Sequence, residues 1–223
     1  MTILARNQRA SASPRPADRK NRFAAPSRRR GFTLIELLVV IAILSLLTSI
    51  LLPSLSKARE LTKQTVCLSN VRCIVLATQF YVNETNYFPP AWVNSTCRWM
   101  DLIKPYADKK SGLYRCPSDL KQLAVTWDPE IILSYGINTF RFSDTAHCFW
   151  YGVKSDAVAR PADTIIFADC TPGKYYCGGG GTFSEPVKDV DYRHTQESFL
   201  AGYCDGHAEN RSSTTILDWD ASQ

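Results

Sequence analysis

Three groups of residues in this 223-residue chain are of types that do chemistry. The first is Glu36, the lone acid in an apolar run that begins directly after Arg28-Arg29-Arg30-Gly31 and continues to Leu52. An ionised carboxylate in hydrocarbon costs at least ~2.5 kcal/mol, so Glu36 needs a proton or a cationic partner. Cutting the bond after Gly31 would free an α-amine on Phe32, one helical turn from Glu36, able to neutralise it in its own or a neighbouring chain. The second group is eight cysteines, Cys67, Cys73, Cys97, Cys116, Cys148, Cys170, Cys177 and Cys204, all beyond the apolar run. An even count in an exported domain points to disulfides, with zinc as the rival, although no pair has a Cys-x-x-Cys spacing. The third is His194, Asp205 and His207, two imidazoles and a carboxylate of the kind that hold a transition metal. Asp189, Asp191 and Asp205 are calcium candidates by their oxygens. The plainer account of this region is a hairpin whose Asp205 caps a turn and whose histidines bond backbone or pack on tyrosine. No serine elbow, Cys-His spacing or twin-carboxylate motif argues for catalysis, so no catalytic residue and no enzyme is expected.

The elements that position these groups follow from periodicity and charge. Residues 32–52 form a helix of about 30 Å, long enough to span a bilayer, and too long for the ~7–15-residue core of a secretory signal. The net charge of +5 is misleading, because nine Lys or Arg and a single acid fall in residues 1–31, leaving 17 basic against 20 acidic residues. The basicity therefore belongs to a disordered leader that keeps the N-terminus cytoplasmic, and it gives no reason to expect nucleic acid as a partner. Beyond Pro53, Leu55, Ala58, Leu61, Leu68, Val71, Val75 and Val82 recur at three- and four-residue steps, predicting one helix from about Thr33 to about Val82. On it Cys67 and Cys73 stand about 9 Å apart along the axis and on different faces, too far to bridge. Asn83 to Pro90 should end the helix, and Trp99 to Tyr106 reads as a short helix. Thr164 to Ala168 reads as a buried strand. Asp205-Gly206 reads as a type I′ hairpin turn. Gly178-Gly179-Gly180-Gly181 is a flexible loop that Cys170 and Cys177 could close, and it lacks the Gly-Lys-Ser/Thr of a phosphate cradle.

Gly31-Phe32-Thr33-Leu34-Ile35-Glu36-Leu37-Leu38, preceded by basic residues, resembles the class III signal of type IV prepilins and type II secretion pseudopilins. The resemblance implies cleavage between Gly31 and Phe32 by a membrane-embedded prepilin peptidase, N-methylation of Phe32, a role for Glu36 in filament assembly, and a helix-bending Pro53. It extends past the leader to a subfamily with a Tyr-Phe-Pro-Pro element (Tyr87 to Pro90), a Cys-Pro-Ser-Asp motif (Cys116 to Asp119) and Ser134-Tyr135-Gly136-Ile137-Asn138. In that subfamily a cysteine on the helix pairs with the one in Cys-Pro-Ser-Asp, implying a Cys67–Cys116 disulfide. Such a loop of about 50 residues is worth roughly 4 kcal/mol by loop-closure entropy. The C-terminal stretch resembles the subfamily's His-x9-Asp-Gly region, with ten residues rather than nine between His194 and Asp205. One extra residue inverts strand parity unless a bulge absorbs it.

These readings predict an α+β, pilin-like lollipop. Residues 1–31 are a removed leader, 32–52 a transmembrane or filament-core helix, 53–83 its amphipathic continuation, and 84–223 a head with an antiparallel sheet. The resemblance implies a structural subunit without cofactor, calcium excepted. Its partners would be other pilin or pseudopilin subunits, the prepilin peptidase and methyltransferase, and an inner-membrane assembly platform. It would be single-pass in the inner membrane, with the head periplasmic or extracellular and a filament after assembly. The alternatives are a membrane-anchored module whose head binds surface glycans or an envelope partner, and an anchored metal-dependent hydrolase.

Overall fold

A computed structural model describes residues 31–107, 112–141, 145–178 and 189–222. The leader over residues 1–30 and the glycine run after Gly178 lie outside them. The chain divides into two units, one ending at Leu47 and one running from Thr48 to Gln223.

The first unit holds the start of α1, Leu34–Thr85, the one helix among the described residues long and apolar enough to cross a membrane. Residues 32–52 are exposed throughout. Thr33 precedes the helix, and its Oγ1 accepts the Glu36 N–H at 3.3 Å while Glu36 Oε2 accepts the Thr33 N–H at 2.8 Å. The Thr33 hydroxyl also donates to Oε2, at 2.9 Å. Thr-x-x-Glu is a capping box, which satisfies two donors that a helix start otherwise leaves open. The helix runs on through Pro53 and stops where Asn86 takes φ of 62° and returns its N–H to the Val82 carbonyl at 2.7 Å. A left-handed Asn is a common helix terminator, and it carries the helix to Thr85.

In the second unit Cys67, Val71, Ile74, Val75, Thr78 and Val82 make one buried stripe on α1. Leu55, Ala58 and Leu61 share the periodicity but are exposed, because burial needs cover as well as spacing. The cover is a five-stranded sheet in the order β7-β5-β6-β8-β9, formed by β5 (Tyr135–Asn138), β6 (Ile165–Asp169), β7 (Tyr176–Cys177), β8 (Phe199–Tyr203) and β9 (Ala208–Arg211). The sheet was expected to be antiparallel, but β5 and β7 run parallel. β6 is antiparallel to β5, and the chain turns back after it through Gly173 at φ 83°, so β7 reaches the far side of β5 in the same direction as β5. Two short antiparallel ribbons, β1 (Trp92–Asn94) with β2 (Cys97–Arg98) and β3 (Ala124–Val125) with β4 (Asp128–Ile132), flank α2 (Trp99–Ile103). Trp99 is fully buried 4.8 Å from the Phe167 ring, with its indole N–H donating to the Tyr175 carbonyl at 2.8 Å.

The helix meets the sheet at Gly202 of β8. A Cβ there would lie 2.4 Å from Val75 Cγ2 and 3.0 Å from Val71 Cγ1. Both are branched side chains with little rotamer freedom, so neither can yield cheaply. Gly202→Ala should therefore destabilise the protein by about 1–3 kcal/mol. Chemical denaturation of the detergent-solubilised chain measures this, and Val75→Ala in the same background should recover most of the loss.

Candidate functional site

The segments carrying the sequence motifs converge beneath α1. Cys116 leaves the loop after α2 and is disulfide-bonded to Cys67 on the helix, with Cα atoms 5.2 Å apart. Two residues later Ser118 donates its hydroxyl to Glu60, and Asn70 donates to the Arg115 carbonyl at 3.1 Å. Asp119 closes its own turn by accepting the Lys121 and Gln122 N–H groups, and its second oxygen takes the Ser134 hydroxyl at 2.8 Å. Cys-Pro-Ser-Asp thus ties the loop to the helix with its first and third residues and to the sheet with its fourth.

Ser134-Tyr135-Gly136-Ile137-Asn138 leads into and forms β5. Tyr135 donates to the Cys67 carbonyl at 3.4 Å, and its burial raises the phenol pKa. A Cβ on Gly136 would sit 2.8 Å from Cys170 Sγ and 2.9 Å from the Tyr176 backbone, which excludes any larger residue. Asn138 is buried with both amide hydrogens placed, on the Ile165 and Trp219 carbonyls at 2.8 Å, and its oxygen accepts the Phe140 N–H. A buried amide saturated in this way fixes three segments at once.

At the centre lies a buried ionic group. Arg193, with a side chain 5% exposed, stands 3.1 Å from Asp119 Oδ2, 3.8 Å from Asp169 Oδ1 and 3.1 Å from Asp191. Nη2, the nitrogen that faces Asp191, also donates to the Cys170 carbonyl. Asp169 also accepts the Leu200 N–H at 2.7 Å. His194 is buried with Nε2 3.1 Å from Asp169 Oδ2 and 3.6 Å from Cys116 Sγ, while its Nδ1 has no hydrogen-bond partner. Cys67, Cys116 and His194 are the three potential metal ligands that cluster among the described residues, their ligand atoms all within 4.8 Å.

His194 and Asp205 are not brought together. Asp205 sits exposed at the β8–β9 turn, where it accepts the His207 N–H at 3.0 Å and lies 2.6 Å from His207 Nδ1, and His207 stacks on Tyr203. The expected type I′ turn is replaced by a three-residue loop. Gly206, at φ 107°, donates to the Tyr203 carbonyl, Tyr203 donates to His207, and neither Cys204 nor Asp205 has positive φ. Putting glycine in the third loop position removes the demand for a left-handed Asp205. Gln79 of α1 caps this loop by donating to the Cys204 carbonyl at 2.7 Å. The ladder of β8 with β9 is regular from Phe199 to Gly202, and the irregularities lie elsewhere. β6 bulges opposite β8 between Ile165 and Phe167, and Gln196 and Glu197 both take positive φ in the turn from His194 to Ser198. The calcium candidates are not gathered into one site: Asp189 pairs with Lys174, Asp191 with Arg193 and Asp205 with His207. Cys170 and Cys177 stand as buried thiols, with Cys170 donating to the Tyr176 carbonyl at 2.9 Å rather than bonding to Cys177.

Asp169, Arg193 and the Thr33 cap were not foreseen. The signal for Asp169 is an acid closing a wholly apolar strand, and the signal for Thr33 is its spacing to Glu36.

Asp169→Asn removes a charge that faces Arg193 and should cost about 3–5 kcal/mol, read from denaturant midpoints, because the guanidinium stays buried. Burial also raises the pKa of the Cys177 and Cys204 thiols. A raised folded pKa means that the folded state holds its proton more tightly. Stability from these groups is thus complete below the unfolded thiol value, about 8.5, and falls as pH rises past it. Thermal midpoints should be level between pH 6 and pH 8 and drop above about pH 9.

Residues 26–52 match the family model for the prokaryotic N-terminal methylation motif. The chain is 32% identical over 98 residues to type II secretion system core protein G of Aeromonas hydrophila, covering 43% of this chain and 65% of that protein. It is 39% identical over 59 residues to the type IV wide pilus major component of Thermus thermophilus, covering 26% of this chain and 45% of that protein. With the type IV major pilin of Myxococcus xanthus it shares 34% identity over 61 residues, 27% of this chain and 28% of the pilin. The chain thus spans less than two thirds of each of these relatives, and no solved structure matches it. A methylation motif on an exposed apolar helix and an α+β head stand beside these likenesses, and the chain is similar to type IV pilins and to type II secretion core protein G.

Proposed function

We propose that the chain is a structural subunit of a type II secretion-like or type IV pilus-like filament. The observation that carries this reading is the methylation motif over residues 26–52, set on a helix start whose apolar residues are exposed and whose one acid is Glu36. In this reading the precursor sits in the inner membrane, with its leader cytoplasmic and its head outside. The prepilin peptidase cuts after Gly31 and Phe32 is N-methylated. The helix then packs among those of neighbouring subunits on an assembly platform. An apolar face of this length has no cover among the described residues of its own chain, and removing it from lipid or water is favourable only against similar faces. Glu36 would neutralise the new α-amine of a neighbour, which is far more favourable in a dry bundle than either charge alone.

A second reading, an anchored glycan-binding head, draws on Trp92 and Trp150, whose rings stack at 6.5 Å and 15° near the surface. Glu36→Val separates the two. A filament subunit loses assembly, whereas a binding module keeps its affinity for a glycan array. Intact mass spectrometry of protein extracted from its native membrane should show loss of residues 1–31 and gain of one methyl group. An uncut chain in cells with active peptidase would refute the filament reading.

A further inference from the structure

A disulfide needs no imidazole beside it, yet the Cys67–Cys116 bridge has one, and that imidazole is paired with a carboxylate. His194 Nε2 lies 3.6 Å from Cys116 Sγ and 3.1 Å from Asp169 Oδ2, all of these groups being buried. The ligand atoms of Cys67, Cys116 and His194 fall within 4.8 Å of one another. For tetrahedral zinc, with Zn–S about 2.3 Å and Zn–N about 2.0–2.1 Å, the sulfur–nitrogen edge measures about 3.5 Å. The contact of Nε2 with Cys116 Sγ already matches this edge. We propose that Cys67, Cys116 and His194 form a zinc site in the reduced chain, mutually exclusive with the disulfide, with water in the fourth position.

The chemistry balances with a dithiol reductant. Two electrons and two protons open the S–S bond to two thiols as the reductant becomes a disulfide. The thiols then pass their protons to solvent as Zn²⁺ takes both thiolates, and the sulfurs part to about 3.8 Å, the sulfur–sulfur edge of the same tetrahedron. The two thiolates balance the zinc charge. A groove of about 600 Å³ lined by Val66, Asn70, Cys73, Leu113, Cys116 and Gln122 runs against the disulfide loop. Either state cross-links α1 to the head, by a covalent bond or through the metal.

The test uses the full chain in detergent, reduced with a phosphine or left oxidised, dialysed against zinc chloride and assayed for bound metal. The reduced chain should hold roughly one zinc and the oxidised chain none. The oxidised chain keeps its other thiols and so serves as their control. His194→Gln and Cys67→Ser should each lower zinc affinity at least tenfold, while Cys73→Ser and Cys204→Ser leave it unchanged. Cobalt bound to the reduced unsubstituted chain should show thiolate charge-transfer and tetrahedral ligand-field bands, a readout independent of whether any variant folds. No zinc in the reduced chain, equal zinc in both redox states, loss through Cys73 or Cys204 instead, or a cobalt spectrum without thiolate bands would each overturn the proposal.

Discussion

Arg193 has been taken out of water, and the second unit is arranged around that fact. A guanidinium cannot be neutralised, so a buried one must find carboxylates and carbonyls for its donors. Here the countercharge comes from Asp119 after the disulfide, Asp169 at the end of β6 and Asp191 close in sequence, and the Cys170 carbonyl accepts from Nη2, while Nε and Nη1 make no hydrogen bond. The contacts with Asp119, Asp169 and the Cys170 carbonyl do not exist until the loop, the sheet and the last third of the chain have come together. The ionic group is therefore a condition on assembly as much as a source of stability. A chain in which one segment is misplaced leaves a charge unpaired in a low dielectric.

The short motifs make sense in these terms. Asp119 joins Ser134 and Arg193, which are far apart in sequence, by accepting the hydroxyl of one and pairing with the guanidinium of the other. Gly136 and Gly202 are small for complementary reasons, one to admit Cys170 and the β7 backbone and the other to admit two valines of α1. The loop at Gly206 is held by Gln79 of the same helix. The helix therefore meets the head through the disulfide, two valines and a set of side-chain hydrogen bonds, all carried on its C-terminal half.

Much of this was legible in the sequence, and the losses have physical causes. The long helix, its apolar start and the buried strand before Asp169 follow from periodicity, which is local. The Cys67–Cys116 pairing came only with a family resemblance, because eight cysteines allow many connectivities. The direction of β7 was missed because two residues carry no signal of whether they run with or against a neighbour. The turn at Asp205-Gly206 was placed correctly but given the wrong geometry, since the same dipeptide serves two loops that differ by one residue. His194 and Asp205 were read together because they are close in a motif. Their real partners, Asp169 and His207, are set by the sheet and by the turn.

The cap at the start of α1 bears on how such a chain can wait. Both Thr33 donors land on the same Glu36 oxygen, Oε2, and among the described residues Oε1 takes no hydrogen bond. A carboxylate offers about four acceptor positions, so a cation arriving later joins this arrangement without evicting what is already there. The acid is latched before any partner arrives and still has room for one: a socket that is stable when empty and unaltered when filled.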